Sequence, residues 1–291
     1  MSTPDTPPAT EVPWVCPNCQ APVSSAYCPA CGERHWRESD LTFRHLFEQL
    51  LESLIHFDGR LARTARTLVA APGRLTRAYL TGARRPYVAP VSLFLAANLV
   101  FFLVQTISGF SVFTISLHEH LTGQAYRTLA GHWVSAHLAA KGLTLEHYAP
   151  VFDHAGDIYA KSLVMVMLPF FAVAVGLLFI ERRKVAVAHL VFAIHFYAFL
   201  MVFLSVLFPV LSVMLAAWTH LGLPWNHRLL DWMVMGIEGL GCLTYLARAV
   251  GVAYDVGPVR RWLSAGALTV ATLYILYLYR FVLFAVTLWT T

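Results

Sequence analysis

The sequence predicts an all-α membrane protein, a five-helix transmembrane bundle preceded by a small cysteine-built domain. Three observations carry that expectation. Of 291 residues, 58% are hydrophobic and only 13% are charged, with a mean hydropathy of +0.60. A soluble domain carries roughly a quarter charged residues, so most of this chain must be solvated by lipid. Its apolar residues gather into five runs, each long enough to cross ~30 Å of hydrocarbon, which takes about 20 helical residues. Four of the five cysteines lie together at positions 16, 19, 28 and 31, while Cys242 sits alone in an apolar run.

Residues 1–13 are rich in Pro and Thr and have neither a basic start nor an apolar centre, so they read as a disordered tail rather than a signal peptide. Residues 14–36 hold Cys16-Pro-Asn-Cys19 and Cys28-Pro-Ala-Cys31-Gly32, a C-x2-C-x8-C-x2-C array. Each C-P-x-C turn aims two thiolates at one point, and two such turns close a tetrahedral S4 site suited to zinc, with a rubredoxin-type iron site as the alternative. Such a site is closed, which points to a structural metal. About 25 residues build no hydrophobic core, so the metal supplies the folding energy. The thiols imply a reducing compartment. Tyr27, Arg34, His35 and Trp36 are the groups such a ribbon offers a protein partner. A plain plug at the N-terminus is the other reading.

Residues 40–86 form a juxtamembrane segment. Asp40 suits an N-cap, and Phe43, Leu46, Phe47, Leu50, Leu51, Leu54 and Phe57 recur at helical spacing to make one apolar face. Asp58-Gly59 ends that helix. Arg60, Arg63 and Arg66 then share a second helix, and Pro72-Gly73 makes a turn. Arg74 and Arg77 lie on a third short helix that Gly82 closes, and Arg84-Arg85 lead into the first span. Guanidinium grips phosphate bidentately, so these seven arginines suit anionic headgroups as well as fixing topology. The aromatics form no stacking platform, which excludes nucleic acid as the partner.

The spans fall at about 88–108, 162–180, 187–218, 229–250 and 263–289, within residues 87–291, with Pro209 expected to end or kink the third. Basic clusters stand before span one, after span two (Arg182, Arg183, Lys184) and between spans four and five (Arg248, Arg260, Arg261). The loop 109–161 is poorer in positive charge. All three clusters fall on one side if the N-terminus is cytoplasmic and the C-terminus periplasmic, an inner-membrane topology.

The double C-P-x-C ribbon followed by "FDGRLARTARTLVAAPGRLTRAYLTGARRPYVAPVSLFLAANLVFF" resembles a bacterial inner-membrane family catalogued as domain of unknown function 3667. The resemblance is specific over residues 16–102, and looser at "HLVFAIHFYAF" and "YLARAVGVAYDVGPVRRWL". It implies a multi-pass membrane protein bearing a zinc ribbon and lends no activity.

Ionisable groups inside spans are costly and mark candidate sites. Glu238 and Arg280 each lie nine residues from the outer end of an antiparallel span, which predicts an ion pair at matched depth. Gly236, Gly239 and Gly241 beside Glu238 would let a helix approach closely. His189 and His195 lie six residues apart on span three, on different faces. They suit buried histidines bonded to a Tyr or a carbonyl, and His195 also suits a proton relay. The outer loop holds six of the thirteen histidines, with His118-x-His120 and Glu119 as a candidate metal group. Segments around Trp133 and Tyr148 read as amphipathic lids over the bundle. No nucleophile elbow or paired carboxylates stand out, so the sequence leans away from an enzyme. The leading reading is a transporter-like or lipid-interacting bundle with a docking or regulatory ribbon. The alternatives are a scaffold that recruits a protein through the ribbon, and an enzyme acting on a lipid headgroup.

Overall fold

The computed structural model describes residues 13–35, 59–108, 112–182, 185–221 and 227–291. Residues 1–12 of the expected tail, Trp36 and the amphipathic helix from Asp40 to Phe57 lie outside the described residues.

The ribbon is a pair of turns on two short antiparallel strands, β1 (Trp14–Val15) and β2 (Pro22–Val23), with a Tyr27–Arg34 bridge on its second half. Two helices follow, α1 (Arg60–Ala70) and α2 (Arg74–Leu80), joined by a turn at Pro72-Gly73. Then comes α3 (Pro90–Ser108). A far-end layer contains α4 (Leu117–Thr122), α5 (Arg127–Lys141) and the start of α6 (Leu145–Leu163). A single 3₁₀ turn joins α6 to α7 (Met167–Leu178), so the two form one long rod. The last three helices are α8 (Ala186–His220), α9 (His227–Tyr254) and α10 (Pro258–Thr290).

Five helices are long and apolar enough to cross a membrane: Pro90–Ser108, Leu145–Leu178, Ala186–His220, Trp232–Tyr254 and Pro258–Thr290. Their surfaces show the lipid signature, being apolar inside and out. On α3, Leu93, Phe94 and Phe101 are buried while Leu99, Leu103 and Ile107 are exposed. In the bundle α8 packs against α3 on one side and α7 on the other, α7 packs on α10, and α10 on α9. Ring stacks fill the interior: Phe171 on Phe196 (4.7 Å between centroids), Phe199 on Tyr245 (3.7 Å) and Phe179 on Tyr254 (4.2 Å).

Two boundaries differ from the sequence expectation. Pro209 does not end the third span; the helix continues through it to His220. A proline removes one helical hydrogen bond, whereas leaving the helix in lipid would strip many backbone groups of partners, so the helix persists. The second span is likewise extended by α6, whose Glu146, Asp153, Asp157 and Lys161 carry it beyond the apolar run at 162–180. As expected, the outer segments lid the bundle. Trp133 stacks on Phe284 and Trp289, and the buried Tyr148 hydroxyl bonds Thr291 Oγ1 at 2.6 Å. This aromatic layer covers the end of α10.

Candidate metal centre and the ribbon end of the bundle

The four cysteines converge. Their sulfurs all lie within 4.8 Å of one another, with Cys16–Cys31 and Cys19–Cys28 each at 3.5 Å. Metal–sulfur bonds of ~2.3 Å in a tetrahedron set sulfurs about 3.8 Å apart, so the spacing fits a four-thiolate metal ion. The local fold explains the convergence. In each knuckle the residue after the second cysteine takes a left-handed backbone, Gln20 at φ 62° and Gly32 at φ 69°. That turns the chain so that Gln20 N–H donates to the Cys16 carbonyl (2.8 Å) and Gly32 N–H to the Cys28 carbonyl (2.7 Å). The Glu33 backbone N–H pulls the Cys31 thiol down to about 7, while burial pushes Cys16 up. Inward-pointing N–H groups of this kind stabilise thiolates, the form a metal needs. Among the described residues these four cysteines are the only His, Cys, Asp and Glu side chains grouped closely enough to hold an ion.

The ribbon is seated on the bundle. Glu33, only 5% exposed, accepts a hydrogen bond on Oε2 from the Arg85 backbone N–H at 3.1 Å. Gly32 lies directly beneath the Arg85 guanidinium, so close that a Cβ there would fall 1.8 Å from Nη1. The knuckle that carries Cys28 and Cys31 is thus the knuckle that clips onto the entrance to α3. Of the groups expected to face a partner, Tyr27 is exposed, while His35 is half-buried with its ring against Trp14.

Next to the clip, α1 and α2 form a hairpin with two faces. Thr64, Leu68, Leu75, Thr76 and Tyr79 are buried, whereas Arg63, Arg66, Arg74 and Arg77 are exposed, as is Arg85. Arg60 and Arg84 are half-buried, and the Arg84 guanidinium lies over the Tyr79 ring and donates from Nε to the Tyr79 carbonyl. Thr76 Oγ1 meets His195 Nδ1 at 2.9 Å, which fixes α2 to α8. Gly73 seats the turn against α9 at Ala249. The hairpin fastens to the start of α3 through Val88 N–H, which donates to Thr64 Oγ1 at 3.0 Å.

The intramembrane candidates separate into two groups. His189 and His195 are buried and bonded, His189 Nδ1 to the Tyr254 hydroxyl at 2.8 Å and His195 to Thr76. Both join helices at the ribbon end. A bonded histidine fits the sequence pattern, but no local signal points to Thr76, 119 residues away.

Glu238 and Arg280 do not form the expected direct ion pair. Arg280 Nη2 donates instead to the Val112 carbonyl at 2.7 Å, although the two charges are near enough to interact. α10 continues beyond Arg280 to Thr290, where Trp133 of the far-end layer stacks on Phe284 and Trp289. Tyr279 donates from its hydroxyl to the carbonyl of Ala160, beside Lys161. Glu238 lines a small pocket of about 70 Å³ with Cys242, Thr272 and apolar residues. Only Gly241 of the three glycines meets a neighbouring helix closely, at the Phe203 ring.

The outer-loop histidines do not assemble a metal site. His118 is exposed and His120 buried, its Nδ1 at 2.8 Å from the Tyr126 hydroxyl, and burial pushes it down to about 4. His132, His147 and His154 are exposed at separate points.

These features define a multi-pass helical membrane protein with a four-cysteine knuckle clipped to one end of its bundle. Residues 58–102 match the model of a family described as a protein of unknown function, DUF3667, so the resemblance holds over the hairpin, the clip loop and most of α3. No curated protein and no solved structure matches the chain.

Proposed function

We propose that this is a non-enzymatic, lipid-interacting integral membrane protein whose arginine hairpin grips anionic headgroups of the cytoplasmic leaflet, with a zinc-bound ribbon as a clamp on that surface. One observation carries the reading: the hairpin is fastened by its apolar face to the ends of α8 and α9, and it turns Arg63, Arg66, Arg74 and Arg77 outward. No acidic residue lies between positions 59 and 87 to neutralise them. Each arginine near an anionic surface contributes about 1 kcal/mol of attraction, so four act together at several kcal/mol. The loop-charge asymmetry supports a cytoplasmic placement of this end, and a reducing compartment suits the thiolates. Zinc fits an S4 site without redox chemistry. The packed aromatic interior favours this reading over a solute path through the bundle.

The test compares thermal stability in detergent with added phosphatidylglycerol or phosphatidylcholine. Phosphatidylglycerol should stabilise the protein selectively, and R63Q/R66Q/R74Q/R77Q should lose that selectivity while keeping its helices. Equal stabilisation by both lipids would overturn the proposal. A reporter fused after Thr291 should report the periplasm; a cytoplasmic signal would reverse the orientation.

A further inference from the structure

A cavity of about 530 Å³ opens between the far-end layer and the end of α10, the size range of small-molecule sites. Its charged wall is Glu119, Asp153, Asp157 and Arg280, with Thr287, Thr114, Ser116, His120 and Gln124 as neutral polar neighbours. The carboxylates are positioned, not scattered. Asp157 Oδ1 accepts from Thr114 Oγ1 at 2.9 Å, Asp153 Oδ1 from Leu117 N–H at 2.7 Å and Glu119 Oε2 from Ser116 N–H at 3.1 Å. Each bond fixes one carboxylate oxygen to the segment that frames the opening.

Three carboxylates face one guanidinium, so the wall carries excess negative charge and favours a cation. A bare divalent ion is a poor fit, since these side chains do not converge as the cysteines do. An extended organic cation reaches several carboxylates at once. Two polar atoms of the lining residues are buried without a partner. Thr287 is fully buried and its hydroxyl has no hydrogen-bond partner; Arg280 spends Nη2 on Val112 and has a partnerless Nε–H. A guanidinium donor selects a carboxylate.

We propose that this cavity binds a small diamino acid, with its ammonium groups on Glu119, Asp153 and Asp157 and its carboxylate on Arg280. The site stands apart from the arginine hairpin and does not depend on the lipid reading.

The experiment is calorimetric titration of the full chain in nanodiscs with lysine, cadaverine and glutamate. Cadaverine has the two amines of lysine without the acid; glutamate reverses the net charge. Lysine should bind about tenfold more tightly than cadaverine, and glutamate should not bind. Asp157→Asn, at an exposed side chain, should weaken lysine and cadaverine alike by about tenfold, whereas Arg280→Gln should bring lysine down to the level of cadaverine. Failure of all three probes to bind, glutamate binding as tightly as lysine, or an unchanged Asp157→Asn would each overturn the proposal. If Arg280→Gln fails to fold, the lysine-to-cadaverine ratio of the unaltered protein decides, and a ratio of one or less contradicts the role of Arg280.

Discussion

Replacing Gly73 with alanine tests whether the arginine hairpin is wedged against the bundle. Gly73 has φ 83°, in the left-handed region. A Cβ built there would lie 2.5 Å from the Ala249 carbonyl oxygen, and 2.9 Å from both the Ala249 Cα and the Val252 Cβ. Two of those atoms are backbone, so no side-chain rotation relieves the overlap and the turn must withdraw from α9. A left-handed backbone costs a non-glycine residue about 1–2 kcal/mol, and forcing a methyl group into a filled contact adds about 1–3 kcal/mol. Gly142 supplies the control. Its φ is 64°, but nothing lies within 4 Å of a built Cβ, so Gly142→Ala should carry only the backbone cost of about 1–2 kcal/mol. Equilibrium unfolding in mixed micelles, followed by circular dichroism, should therefore show Gly73→Ala less stable than Gly142→Ala by about 1–3 kcal/mol. Equal losses would refute the wedge, and with it the fixed placement of Arg74 and Arg77.

Other outcomes follow from the same contacts. Purified protein should hold one zinc ion per chain by elemental analysis, and Cys28→Ser should release it, free Glu33 from Arg85 and leave the helical content of the bundle intact; metal-free fresh protein would contradict the site. Thr76→Val should cost about 1–3 kcal/mol by leaving buried His195 Nδ1 without a partner, and less in a His195→Phe background. His120 has its folded value depressed to about 4 by burial, with Arg280 adding to the effect. The unfolded chain therefore binds the extra proton first, and stability present above pH ~6.5 is lost as pH falls toward 4, at up to about 1.4 kcal/mol per pH unit from this group. His120→Gln should flatten that slope.

Much of the architecture is legible in the sequence because lipid makes simple demands. Five apolar runs became five helices, since a spanning segment must satisfy its backbone internally. The C-x2-C spacing located the thiols because each knuckle needs only its own turn to place two of them. The two faces of the hairpin were legible too, as arginines at three-residue spacing. What escaped the sequence depends on distant partners. Thr76 found His195, and Glu33 found Arg85, through packing that no local pattern encodes. Which residues the outer segments cover was not legible, because an apolar end of α10 reads the same whether lipid or an aromatic layer covers it. In the structure Trp133, Phe152 and Tyr126 pack against Phe284. The pocket carboxylates looked like ordinary loop charges until α4 and α6 brought them together.

Native mass spectrometry of the protein released from bacterial membranes in mild detergent tests the lipid proposal most directly. The account predicts that anionic phospholipid stays bound to the unaltered chain in excess of its membrane abundance. R63Q/R66Q/R74Q/R77Q, with its zinc and helices intact, should carry it only at membrane abundance. Undiminished anionic lipid on that variant would contradict the proposal that the arginine hairpin is the headgroup site.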